Sequence, residues 1–246
     1  AVVVKVQPDD ADWDAGDIRY NVLRWTSSPN PPFGGYGPSF TNPRTGQIIG
    51  ADIMLEYSFM TRLTRTRGQI HDPVMTADQP MINPNFDSTY CALGQGLAMN
   101  NIFASAAAEV YGYSDELDQQ LTRDTMHYLI LHELGHTLGL NHNMKASQLN
   151  SPEELLNPEL TYSRGLIGSV MDYPAINLPP KKDIKVQYEQ VEPGPYDLWA
   201  IEYGYSIGFE NEDEEEQRLE QILMRSIMPE HTFGNDADDM RSPGKA

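Results

Sequence analysis

The feature that most restricts this chain is the run from Thr125 to Asn143, TMHYLILHELGHTLGLNHN, in which Glu133 is the only formally charged residue. A segment this long and apolar on nearly every side makes a buried helix. A carboxylate inside it costs on the order of several kcal/mol unless it meets a cation, a metal-bound water or hydrogen-bond donors. The same run spaces His132, Glu133, His136, Gly139 and His142 as HExxHxxGxxH. On a helix His132 and His136 stand one turn plus about 40° apart, so both imidazoles leave one face and can share a metal ion. Glu133 projects about 100° away, where it cannot be a third ligand but can reach a water in the metal's open position. Gly139 suits the left-handed residue that ends a helix and lets His142 turn back toward the metal. Three imidazoles plus water meet the tetrahedral preference of Zn2+, with Glu133 as general base. The competing reading is a buried helix whose histidines are satisfied by the protein itself.

Composition sets the frame for this motif. At 246 residues and 39% hydrophobic content the chain can bury a full core, and one domain with two lobes is expected. A formal charge of −19 and a pI near 4.5 argue against nucleic acid or an anionic membrane as partners. No apolar run approaches a membrane span. The single cysteine, Cys91, excludes an intramolecular disulfide and reads as a small buried side chain. The start AVVVKV carries no signal-peptide pattern, so any signal peptide is expected to have been removed or to lie upstream. A soluble, extracytoplasmic piece of a larger polypeptide, periplasmic or secreted, is expected.

Along the chain, Val2 to Val6 and then residues 18 to 25 read as strands, and 48 to 57 as a third in which Gly50 marks a bulge or an edge. Between them Asp10, Asp12 and Asp14 alternate and admit a structural Ca2+ ion. In the EF-hand register Ala15 replaces the glycine and Asn21 the glutamate, so a solvated loop is favoured. Residues 26 to 47 form a proline- and glycine-rich loop. Arg62, Arg65 and Arg67 form a basic cluster expected to pair with carboxylates, and 71 to 85 a proline-punctuated loop carrying a surface His71. Met99, Phe103, Ala106 and Val110 have helical spacing and predict a core helix, with Ala104, Ala106, Ala107 and Ala108 permitting close packing. Ser114 or Asp115 caps the next helix. His127, off the ligand face, reads as a core or supporting histidine.

Downstream of His142 the sequence reads SVMDY, with Met171 29 residues after that histidine. The long zinc motif together with this downstream methionine resembles the metzincin metalloproteases, in which such a segment forms a Met-turn. The GPSFTNPRTGQIIGADIMLE and YDLWAIEYGY segments are most similar to the met-zincin domain of large bacterial zinc-dependent proteases. The resemblance implies an α+β fold: a mixed twisted sheet with the active-site helix in an upper lobe, and an irregular lower lobe with a C-terminal helix. It implies His132, His136 and His142 as zinc ligands, Glu133 as catalytic base, and Met171 as the hydrophobic floor beneath the histidines. Tyr173 resembles the tyrosine that astacins and serralysins use as an extra zinc ligand or transition-state donor, and a core tyrosine is the other reading. Asn143 departs from the residue those subfamilies show after the last histidine. In the resembled domain a strand and a long helix precede the position of Ala1.

The expected division is a catalytic domain over 1–210, lacking N-terminal elements, and an acidic amphipathic helix and tail over 211–246. Within the first, 185–191 reads as a short strand and 195–205 as a helix with Leu198, Ile201 and Tyr205 on one face. In the second, Leu219, Ile222, Leu223 and Ile227 form a stripe behind acidic residues. His231 and the NDADD run offer a second metal site, with a solvated tail as the simpler reading. The implied activity is that of a zinc endopeptidase on protein or peptide substrates. The alternatives are a non-catalytic zinc- or peptide-binding module and a zinc amidase acting on cell-wall or glycopeptide substrates. A gluzincin with Glu153 or Glu154 on the metal is disfavoured by Gly139 and His142.

Overall fold

The computed structural model describes residues 2–29, 33–59, 61, 91, 93–112, 115–181 and 183–238. Short strands come first: β1 (Leu23–Thr26), β2 (Gly35–Tyr36), β3 (Ser39–Thr41), β4 (Ile48–Ala51) and β5 (Ile53–Glu56). Helices follow: α1 (Leu93–Tyr111), α2 (Asp115–Thr137), α3 (Pro158–Arg164), α4 (Pro195–Tyr205) and α5 (Glu212–Leu223). The architecture is α+β. No helix of the described residues is long and apolar enough to cross a membrane.

β5 is the central strand of one sheet, parallel to β1 and antiparallel to β2. β3 and β4 form a separate antiparallel ribbon whose register shifts at Phe40/Thr41, opposite Gly50. The single strand expected over 48 to 57 is thus two. The break falls at Asp52, whose carboxylate accepts from Val22 N at 2.9 Å while its own N–H donates to Pro38 O at 3.2 Å. These bonds turn the chain from one sheet into the other.

Two other expected strands do not form. Val2 to Val6 are exposed and irregular, and the second strand begins only at Leu23, leaving Ile18 61% exposed. A strand needs a ladder for its backbone groups, and no described strand pairs with either stretch. Residues 185–191 are irregular, with 186–190 buried. Tyr188 O accepts from Asn177 N at 3.0 Å and Gln187 N donates to Thr161 Oγ1 at 3.3 Å, so loop contacts replace a ladder. The acidic turn is closed by its own donors: Asp14 accepts from Gly16 N at 2.7 Å and Asp17 pairs with Arg19. Nothing there supports calcium.

α1 forms as its spacing predicts but buries a different face. Met99, Phe103 and Val110 are 46%, 60% and 80% exposed, whereas Leu93, Leu97, Ala104 and Ala107 are buried. The small residues let α2 approach, and Asn101 Nδ2 fastens the pair by donating to Leu97 O at 2.8 Å and Thr125 Oγ1 at 2.9 Å. The main core then joins Ile53, Leu55, Leu97, Leu129, Val170 and Met171, so sheet, α1, α2 and the methionine turn share one interior.

α5 docks on α4 through Trp199 Nε1, which donates to Ile222 O at 2.7 Å. Of the predicted stripes Ile222 is buried, while Leu198, Tyr205, Leu223 and Ile227 are exposed. Arg62, Arg65, Arg67, His71, the 71–85 loop and Ser114 lie outside the described residues.

Candidate metal centre

α2 carries His132 and His136 one turn apart, and both His132 and Glu133 are fully buried. The helix stops at Thr137, and Gly139 takes φ +88°, a left-handed turn that a side chain would strain. That turn returns His142 to the first two imidazoles. His136 and His142 approach Nε2 to Nε2 at 3.1 Å, and Cys91 Sγ lies 3.3 Å from His132 Nε2. The donor atoms of Cys91, His132, His136 and His142 all lie within 4.8 Å of one another.

Each ring is oriented through its other nitrogen. His132 Nδ1 lies 2.7 Å from Val170 O, His136 Nδ1 3.0 Å from Leu140 O, and His142 Nδ1 2.7 Å from Asp236 Oδ1. Carbonyl and carboxylate oxygens only accept, so each Nδ1 carries the proton and donates it, leaving Nε2 with a free lone pair. Burial, then the neighbouring His136 and His142, holds His132 well below the ordinary histidine range, and burial followed by His142 lowers His136 to about 4. Both rings are therefore neutral near pH 7. The His136 and His142 Nε2 atoms facing each other at 3.1 Å are an arrangement that a cation held by both would satisfy. The donor set fits a metal ion.

Glu133 stands beside this cage with both carboxylate oxygens buried and without a hydrogen bond of ordinary length. Burial pushes it up to about 8, against the smaller opposing pulls of the Gly37 amide and the Cys91 thiol. β2 and the residue after it press close on this stretch of α2. A Cβ at Gly35 would stand 2.9 Å from Glu133 Cγ and Oε1, and one at Gly37 would stand 2.3 Å from Glu133 O. Only glycine fits there.

Beneath the imidazoles Met171 is fully buried. Its turn is fixed from α4. Asp197 accepts from Ser169 Oγ at 2.5 Å, Val170 N at 2.8 Å and Gly194 N at 2.8 Å, and Met171 N donates to Ser169 Oγ at 3.0 Å. Tyr128 from α2 donates to Asp172 O at 2.7 Å. Tyr173 brings its hydroxyl 2.8 Å from His142 Nε2 and 3.2 Å from Cys91 Sγ.

The structure thus brings His132, His136, His142, Glu133, Met171 and Tyr173 to one place. His127 is exposed and takes no part. His231 Nδ1 donates to Arg225 O at 2.7 Å and its ring stacks on Trp199, so it founds no second metal site. The acidic tail is not free: Asp236 meets His142. Glu154 accepts from Ser151 N at 2.8 Å and is not among the converging groups. Sequence reasoning overlooked Cys91 and Asp236, which no local spacing ties to the histidines. Asn143, noticed only as a departure, spends its side chain on the tail, donating to Thr232 O at 2.9 Å and accepting from Gly234 N at 3.1 Å.

No curated protein and no solved structure matches this chain. A family model described as Met-zincin matches residues 114–245, which run from the start of α2 through the three histidines and Met171 to the tail that carries Asp236. By that match over more than half of its length, the chain belongs to the Met-zincin family.

Proposed function

We propose that the chain is a zinc-dependent endopeptidase, with His132, His136 and His142 holding the metal and Glu133 serving as general base. The observation that carries this reading is the convergence of three imidazoles, two of them held neutral by burial, beside a buried carboxylate whose oxygens have no hydrogen-bond partner. A helix that only needed packing would not keep such a carboxylate there, because leaving it unpartnered is costly.

Zinc, when bound, polarises a scissile carbonyl and makes water a better acid. Glu133 takes the proton from the attacking water and passes it to the leaving amine. The Tyr173 hydroxyl donates a hydrogen bond to the oxygen that gains negative charge. Val170, Leu140 and Asp236 fix the tautomers that leave each Nε2 free. Gly35 and Gly37, where a Cβ would collide with Glu133, let the backbone of β2 and the residue after it pass close beside the base.

The test is digestion of a diverse peptide library with and without a chelator, beside zinc analysis of Glu133→Ala. That variant should keep its zinc and lose cleavage by about a hundredfold or more. Cleavage by Glu133→Ala at the parental rate would end this reading. A second reading, a metal-binding module without turnover, draws support from the nearness of Cys91 to the histidines, and the same digestion separates it.

A further inference from the structure

Between Ser206 and Ile227 the chain carries seven carboxylates and only two cations, Arg218 and Arg225. Both arginines are spent. Arg218 donates to Glu215 from Nε at 2.8 Å and from Nη2 at 2.6 Å, and Arg225 pairs with Glu202 at 2.5 Å. Glu212, Glu216 and Glu220 follow one another at one-turn intervals on α5, and none of them has an ion pair among the described residues. The same side of the helix carries Leu219 and Leu223. With Phe209 they line a groove of about 450 Å3 that those three glutamates also border. Ile222, on another side of α5, is buried, and its carbonyl accepts from Trp199 of α4.

We infer that this groove docks a basic amphipathic segment of a partner polypeptide, a helix whose apolar stripe is flanked by lysines or arginines. The groove is already built. Phe209 N donates to Glu215 Oε2 at 3.1 Å, and a Cβ at Gly208 would stand 2.9 Å from Glu215 Cδ, so the turn that carries Phe209 lies directly on the start of α5. Asn211 caps the helix beside it, accepting from Asp213 N at 2.9 Å.

Charge and shape select the occupant. Phe209 and Leu223 are exposed large apolar side chains, and a contiguous apolar surface rimmed by charge marks an interaction site. The 12 residues of α5 run about 18 Å, enough to seat about three turns of a partner helix in the helix-in-groove mode. Cations one turn apart on that helix meet Glu212, Glu216 and Glu220 in register. A second copy of the chain would set these carboxylates against their own kind, in a protein whose net charge is already −19. An anionic lipid surface is repelled for the same reason. The groove is independent of the metal chemistry, and its test reads binding alone.

The experiment follows the fluorescence anisotropy of a labelled three-turn peptide of leucine and lysine, its leucines on one helical face, as the full chain is added. Mass spectrometry checks that the peptide stays intact. The parent should bind it saturably, and the same peptide with glutamates in place of the lysines should not bind. Leu219→Ser should weaken binding by about tenfold or more. Glu216→Gln/Glu220→Gln, which alters only exposed carboxylates, should weaken it by about five- to tenfold at low salt, a difference that fades at high salt. Both variants should keep the parent's circular dichroism spectrum. No saturable binding, or equal binding by the parent and the Glu216→Gln/Glu220→Gln variant at low salt, overturns the proposal. Dimerisation of the parent that Leu219→Ser abolishes, read by sedimentation equilibrium, assigns the face to a second copy. Binding of the parent to phosphatidylcholine vesicles that Leu219→Ser abolishes assigns it to a lipid surface. Either result overturns the basic-peptide proposal and leaves the metal centre untouched.

Discussion

Asp236 lies 94 residues beyond His142, yet its Oδ1 is 2.7 Å from the Nδ1 of that imidazole. The last of the three converging histidines is therefore oriented by the tail, and the clip that holds the tail is its neighbour Asn143, bonded to Thr232 and Gly234. A carboxylate behind a ligating histidine fixes the tautomer and raises ring basicity, and its removal costs about 10- to 100-fold in metal affinity. Asp236 is 66% exposed, which puts it at the lower end of that range. Asp236→Ala should weaken zinc binding by about tenfold in competition with a chromophoric chelator and leave the melting of the metal-free chain nearly unchanged. A loss smaller than about twofold would show that the carboxylate does not support His142.

Gly135 faces Met171. A Cβ at Gly135 would stand 2.3 Å from Met171 Sδ, far inside contact distance, and the sulfur is fully buried with nowhere to retreat. Gly135→Ala should destabilise the protein by about 1 to 3 kcal/mol through overpacking. The double variant Gly135→Ala/Met171→Ala should recover part of that loss in a denaturant titration. Equal midpoints for the single and double variants would place the damage elsewhere.

Much of this site was legible because a helix converts spacing into direction. His132, Glu133 and His136 could be assigned to faces from their numbers alone, and Gly139 announced the turn that the left-handed φ of +88° now describes. What sequence could not give was contact between distant segments. Cys91 comes from before α1, Asp236 from the tail and Asp197 from α4; nothing in their local pattern points to the histidines. The face of α1 was misread for a related reason: the large residues Met99 and Phe103 suggested a core stripe, but close approach of α2 selects the small ones, Ala104 and Ala107. Strands suffered most, since β-branched residues at Val2 to Val6 state a preference without supplying a partner.

Asp197 gathers three donors, Ser169 Oγ, Val170 N and Gly194 N, into one buried carboxylate. Asp197→Ala would leave all three without an acceptor, each at about 1 to 3 kcal/mol. The variant should unfold at markedly lower denaturant. Because Val170 O is the acceptor for His132 Nδ1, its zinc affinity should fall as well. Asp197→Asn, which keeps one acceptor oxygen, should lie between it and the parent. Unaltered zinc binding in a folded Asp197→Ala protein would uncouple the methionine turn from the metal centre.

Glu189 provides the clearest pH signal, since it is away from the histidines. It is 1% exposed, neither of its oxygens has a hydrogen-bond partner, and burial, followed by the nearby Asp124, pushes it up to about 8. The unfolded chain releases this proton near the ordinary value of 4.5, so between about 4.5 and about 8 the folded state holds more protons than the unfolded one. Stability due to this group is therefore full below the lower value and is lost as pH rises through the upper one. Each unit of displacement corresponds to about 1.4 kcal/mol, so the total is a few kcal/mol. Glu189→Gln copies the shape of the protonated acid and should match the parent at about pH 4.5, then gain on it steadily up to about pH 8 and hold a constant lead above that. Thermal melts of both proteins across this range measure the difference, and a lead that does not vary with pH would mean that Glu189 is not held protonated in the fold.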